Sequence, residues 1–177
     1  MSAELSISVI RGEDLTPRER DEWLALCSKA FGIDYEPFAR TFRDPTHVMA
    51  RVEGVLASHA LWVTRWLQPA NLPPLRTAYV EAVATEATYR RLGLATAVMR
   101  ALQAHISDCE LGGLSPGEPQ LYMPLGWEFW RGPLFIRTEA GLMARSDDRV
   151  MVLRLLCTPP LDLDAPMSAE WREGELW

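Results

Sequence analysis

Between residues 79 and 96 the sequence sets an isolated carboxylate ahead of a turn suited to an anion. The turn is Arg90-Arg91-Leu92-Gly93-Leu94-Ala95, followed by Thr96, and it separates a strand-like segment from a helical one. A helix that starts here leaves its first backbone N–H groups without intrahelical partners, and its dipole adds positive potential at the same end. Such a place suits a pyrophosphate. Gly93 lets a ligand approach the backbone, Ala95 keeps the first turn slim, and two arginines add charge. The carboxylate is Glu81, inside the apolar run Tyr79-Val80-Glu81-Ala82-Val83-Ala84. An unpaired buried charge is costly, so Glu81 must face a cleft or a partner. It is a candidate base or ammonium anchor.

The elements that position these residues follow from periodicity and punctuation. Residues 5–10 alternate as a strand. Thr16-Pro17-Arg18-Glu19 is a capping box with proline at the first helical position. The helix it opens carries Trp23, Leu24, Leu26, Cys27 and Ala30 on one face. A short helical piece is expected over 37–42. Residues 46–51 and 55–66 flank Glu53-Gly54 and predict a hairpin. The break at 71–74 precedes a strand over 76–85. Leu94, Val98, Leu102 and Ile106 then recur every four residues, a helix that Gly112-Gly113 is expected to end. A short strand around Leu114, a helical turn over 119–123 and strands over 127–137 and 149–156 complete an α+β order, β-α-β-β-β-α-β-α-β-β, in one domain over 1–177.

Composition narrows the partners. The chain has 177 residues, 48% hydrophobic and 24% charged, which suits one globular domain. A net charge of −6 argues against nucleic acid and permits a cationic ligand. No apolar run approaches a membrane span, and the first residues lack the form of a signal peptide, so a cytoplasmic protein is expected. Cys27, Cys109 and Cys157 have no metal-type spacing and are expected to be buried free thiols. His47, His59 and His105 lie far apart in the sequence, so no metal site is expected.

The Arg-x-x-Gly-x-Ala turn resembles the acyl-CoA motif of the GNAT N-acetyltransferase superfamily, which follows a bulged strand and opens a long helix. Leu121-Tyr122-x-x-x-Gly126-Trp127 is similar to a second segment of that superfamily. A narrower resemblance is to the aminoglycoside 2′-N-acetyltransferases. It rests on Tyr79-Val80-Glu81-Ala82-Val83-Ala84, on Ala30-Phe31 with Asp34, on Thr46-His47-Val48-Met49 and on Ser115 after Gly113-Leu114. It rests most on Trp171-Arg172-x-Gly174-Glu175-Leu176-Trp177. The departures are Glu175 where that family has aspartate, a missing second aspartate after Asp34, and a shorter loop after Ser115. They leave room for an atypical aminoglycoside such as kasugamycin.

The resemblance implies a GNAT fold, with a mixed, mostly antiparallel central sheet and flanking helices. It implies acetyl-CoA as cosubstrate, along Val83 and the turn Arg90, Arg91, Leu92, Gly93, Leu94, Ala95 and Thr96. It implies Glu81 as base through water, with the Trp177 α-carboxylate as a second candidate. Tyr122 would protonate the leaving thiolate, since its phenol is the weaker acid yet lies within reach of a thiol's range. The Val83 N–H, freed by a bulge, would polarise the thioester carbonyl. Asp34, Glu81, Ser115, Asp147, Asp148, Glu175 and the Trp177 carboxylate would hold the amino sugar, and the family suggests a homodimer. Two alternatives stay open: a GNAT acting on a peptide or other small-molecule amine, and a non-catalytic acyl-CoA or drug-binding module.

Overall fold

The computed structural model describes residues 4–177. They form two compact units, each drawn from separated stretches of chain. The first holds the chain through Val63 together with Val80–His105, and the second holds Thr64–Tyr79 with Ile106–Trp177.

In the first unit β1 (Leu5–Arg11) pairs antiparallel with β2 (Thr46–Val52), and β2 with β3 (Val55–Pro69), of which residues up to 63 belong here. β4 (Leu75–Thr85), from residue 80 onward, is the next strand. The expected hairpin forms at Glu53-Gly54, where both residues take positive φ (51° and 78°) and Val52 pairs Val55. A two-residue turn of that hand matches strand twist. The capping box also forms: Thr16 Oγ1 accepts from the Glu19 N–H while the Glu19 carboxylate accepts from the Thr16 N–H at 2.9 Å. It opens α1 (Pro17–Phe31), which buries Trp23, Leu24, Leu26 and Cys27. The short helix predicted over 37–42 is α2 (Glu36–Ala39), starting one residue earlier. α3 (Leu94–His105) packs against β1 and β2 and buries Leu94, Val98, Met99 and Leu102. Each large apolar side chain so buried contributes about 1.5–3 kcal/mol.

In the second unit the strand order is β8-β7-β10-β3-β4-β5-β9-β6, with β3 and β4 contributing residues 64–69 and 75–79. The strands are β5 (Leu111–Leu114), β6 (Glu128–Phe129), β7 (Leu134–Thr138), β8 (Gly141–Ala144), β9 (Met151–Arg154) and β10 (Met167–Glu170). The β7–β10 pair is parallel, whereas β5–β9, β6–β9, β7–β8 and β3–β10 are antiparallel. A helical turn, α4 (Pro119–Tyr122), runs into a 3₁₀ turn at Met123–Leu125.

Four expectations need correction. α3 stops at His105, and Gly112-Gly113 lie in β5 instead of ending the helix. A Cβ on Gly112 would sit 2.9 Å from the Leu153 Cβ, and one on Gly113 2.9 Å from the Tyr79 ring, so these glycines answer to packing in the sheet. The strand expected over 127–137 is two strands parted at Gly132-Pro133. Proline has no N–H for a ladder. β8 and β10 had no counterpart in the expected order. Finally, Cys27 and Cys109 are buried, but Cys157 is exposed.

Candidate functional site

Within the first unit, the structure places Glu81 and Val83 on either side of a kink in β4. Ala82 between them takes φ 54°, a left-handed conformation rare for a residue with a Cβ. A strand residue so turned leaves the regular ladder and re-aims its neighbours. Glu81 and Val83 are both half-buried, whereas Ala82 is buried. The Ala82 carbonyl is met by two side chains: His59 Nδ1 at 2.9 Å and Cys27 Sγ at 3.8 Å. His59 Nε2 in turn lies 2.9 Å from His47 Nδ1. The two histidines, distant in sequence, are therefore neighbours. Burial pushes His47 down to about 4 and His59 to about 3, so both rings are neutral, and it pushes the Cys27 thiol up to about 12.

β4 ends at Thr85, and a 3₁₀ turn at Ala87–Tyr89 leads into the turn that precedes α3. Arg90, Arg91, Leu92 and Gly93 are exposed. Arg91 and Gly93 both have positive φ, 61° and 78°. An added Cβ on Gly93 would meet nothing within 4 Å. The glycine is thus required by its φ and leaves open space outside the backbone. The Gly93 carbonyl accepts from the Ala97 N–H at 2.9 Å, the first bond of the helix. Earlier N–H groups at this end lie beyond the intrahelical ladder. Open space, two exposed guanidinium groups and a twelve-residue helix behind them suit the diphosphate of a CoA ester. Asp34 lies on the exposed loop after α1, accepting from the Glu36 N–H at 3.1 Å.

The second unit holds the other expected residues. Tyr122, at the end of α4, is 6% exposed and packs edge-on to Trp127 with ring centroids 6.3 Å apart. Burial, with the nearby Glu118 carboxylate, raises its phenol to about 12, so it is protonated at neutral pH. Ser115 follows β5 and is exposed. Asp147, Asp148 and Glu175 come together as electrostatic neighbours of Arg145, and Asp148 binds it at 2.6 Å. Trp177 is buried.

Arg65, which sequence reasoning missed, holds the 170–177 segment. Its side chain is 1% exposed, and it donates to the Leu176 carbonyl at 2.7 Å, the Glu170 carbonyl at 2.9 Å and the Glu170 carboxylate at 3.3 Å. Its guanidinium lies over the Tyr79 ring at 4.9 Å and near the Trp177 ring at 6.0 Å. The available signal was a lone arginine inside the apolar run of β3. Among the described residues no cluster of three or more His, Cys, Asp or Glu could hold a metal, and no helix is long and apolar enough to cross a membrane.

Known proteins identify the family and the fold. Residues 12–130 match the GNAT acetyltransferase domain. The chain is 34% identical over 138 residues to an aminoglycoside 2′-N-acetyltransferase of Mycolicibacterium fortuitum, covering 74% of this chain and 70% of that one. Among solved structures it resembles the GNAT family N-acetyltransferase YhbS of Escherichia coli, a CoA complex, with TM-score 0.67 and 17% identity over 98% of this chain and 92% of that one. It also resembles Eis1 of Mycobacterium abscessus, with TM-score 0.62 and 18% identity, covering 73% of this chain and 32% of that one. The chain spans about a third of the length of several such structures. These likenesses show the α+β fold expected from the sequence to be the GNAT fold. The chain belongs to the GNAT acetyltransferases, in the family of the aminoglycoside 2′-N-acetyltransferases.

Proposed function

We propose that the protein transfers an acetyl group from acetyl-CoA directly to an amine of a cationic amino sugar, with the 2′ amine of an aminoglycoside as target. The observation that carries this reading is the left-handed kink at Ala82, between the Glu81 carboxylate and Val83, in the strand that leads to the open turn at Arg90–Gly93. Acetyl-CoA supplies the activated acyl group, and residues 90–96 hold its diphosphate. The amine arrives protonated. Glu81, through water, takes that proton, and the freed lone pair forms the N–C bond. The Val83 N–H polarises the thioester carbonyl as charge develops on its oxygen. On the resemblance of residues 121–127, Tyr122 donates its proton to sulfur as the C–S bond breaks; the new amide nitrogen gives up its second proton, through water, to the Tyr122 phenolate, and the proton on Glu81 passes to solvent, so protons and charges balance. A phenol held up at about 12 is present as the acid, which that step needs.

On the family resemblance, Asp147, Asp148 and Glu175 supply negative charge for the ammonium groups, and Asp34 and Ser115 further polar contacts. On the resemblance of residues 171–177 alone, the Trp177 α-carboxylate joins them. Tyr122→Phe tests the chemistry: turnover should fall about 10²–10⁴-fold with acetyl-CoA affinity unchanged. Wild-type turnover in that variant, with the chemical step shown to limit the rate, would reduce Tyr122 to packing.

A further inference from the structure

Ala82 is the residue of β4 with a positive φ, and side chains meet its carbonyl. A carbonyl oxygen only accepts, so His59 Nδ1, 2.9 Å away, must carry a proton. A neutral His59 then has a bare Nε2. His47 Nδ1, 2.9 Å from it, must donate in turn. The result is a one-directional chain, His47 to His59 to the Ala82 carbonyl. Both rings are buried, and Trp23 stacks on His59 at 5.2 Å and 12°. A peptide unit is planar and trans, so the Ala82 C=O and the Val83 N–H are opposite ends of one rigid plane. Whatever fixes the carbonyl also fixes the direction of that N–H.

We propose that His59 is a positioning residue for acetyl transfer: its Nδ1–H holds the Ala82 carbonyl and so aims the Val83 N–H at the thioester, with His47 locking the His59 tautomer. The inference rests on the oxyanion role given to Val83. It assigns the buried histidine pair a part in the reaction beyond filling the space beneath α1. A hydrogen bond on the carbonyl also polarises the far end of the same amide, making the Val83 N–H a better donor.

Asparagine presents its amide nitrogen near the place of a histidine Nδ1, whereas glutamine presents it near Nε2. His59→Asn should therefore keep the bond to Ala82, and His59→Gln should lose it. The first readout is the infrared stretch of the thioester carbonyl of ¹³C-labelled acetyl-CoA bound to the protein without any amine. A red shift in the wild type should persist in His59→Asn and shrink in His59→Gln. In turnover, kcat of His59→Gln should fall about ten-fold or more while KM for acetyl-CoA moves less than about two-fold. An undiminished shift and kcat in folded His59→Gln would overturn the inference and leave the Val83 role intact. No red shift in the wild type would remove the Val83 role, and the inference with it. A further measurement needs no variant: imidazole ¹⁵N resonances should show His59 protonated at Nδ1 and bare at Nε2. A bare Nδ1 would overturn the inference even if His59→Gln failed to fold.

Discussion

Each unit buries a cluster of basic nitrogen atoms, and the two do so in opposite ways. In the first, His47 and His59 give up their charge. Burial lowers both far below an ordinary histidine, and the neutral rings then satisfy each other and one backbone carbonyl. In the second, Arg65 keeps its charge. Burial lowers its pKa too, but a guanidinium starts too high to lose its proton, so the fold surrounds it with acceptors and aromatic faces. The difference teaches what each can do. A neutral histidine offers one donor and one acceptor of defined direction, enough to orient a single peptide. A buried cation offers several donors at once, enough to gather a whole segment.

The largest expected effect comes from removing the charged solution. Arg65→Met takes away the hydrogen bonds that Arg65 gives to the Leu176 and Glu170 carbonyls, and should destabilise the protein by about 3–5 kcal/mol. Chemical denaturation measures it. A loss under about 1 kcal/mol would mean that Arg65 only fills space and that the contrast is false.

The neutral solution breaks with acid. His47 and His59 have folded pKa values of about 4 and 3, below the unfolded value near 6.5. The unfolded chain therefore binds protons that the folded one refuses. Their stabilising contribution is full above about pH 6.5 and is lost as pH falls toward 3. Each proton taken up on unfolding steepens the decline by up to about 1.4 kcal/mol per pH unit. Denaturation between pH 6.5 and 4.5 should show the slope, and His47→Phe/His59→Phe should flatten it. A flat wild-type profile would mean that the pair accepts protons in the fold.

The smallest effect sharpens the comparison by isolating burial from charge. Arg131 and Asp164 form a two-bond pair, both contacts at 2.7 Å, with side chains 57% and 66% exposed. Asp164→Asn should cost less than about 1 kcal/mol, and less still in high salt. A cost equal to that of Arg65→Met would show that pairing, not burial, sets the scale.

The geometry of the turn proposed to hold acetyl-CoA was legible in the sequence because its requirements are local. A glycine of positive φ, a slim residue after it and a periodic apolar stripe all lie within twelve or so residues. The histidine pair was not legible, for a reason of register. The Glu53-Gly54 turn pairs Val52 with Val55, and continued without change it would set His59 opposite Val48, on the face away from His47. One extra residue in β3, between Leu56 and Ser58, moves His59 opposite Met49 instead. That single bulge reverses the facing of every later residue and brings the two rings together. Composition and alternation carry no sign of it. Gly112-Gly113 misled for a related reason: a glycine pair marks a helix end as readily as a close approach in a sheet, and only the Leu153 and Tyr79 neighbours decide between them. β10 was invisible because four residues, Met167–Glu170, hold too little periodicity, and its parallel partner β7 lies some thirty residues away.

The central claim is acetyl transfer to a 2′ amine. The most direct measurement is mass spectrometry of products after incubation with acetyl-CoA and two aminoglycosides that differ only in an amine or a hydroxyl at the 2′ position. A singly acetylated product is expected from the amine, with one CoA thiol released per product, and no acetylation at the 2′ position of the hydroxyl compound. Equal acetylation of both would place the reaction at another amine, and no product from either, with acetyl-CoA bound, would contradict the claim.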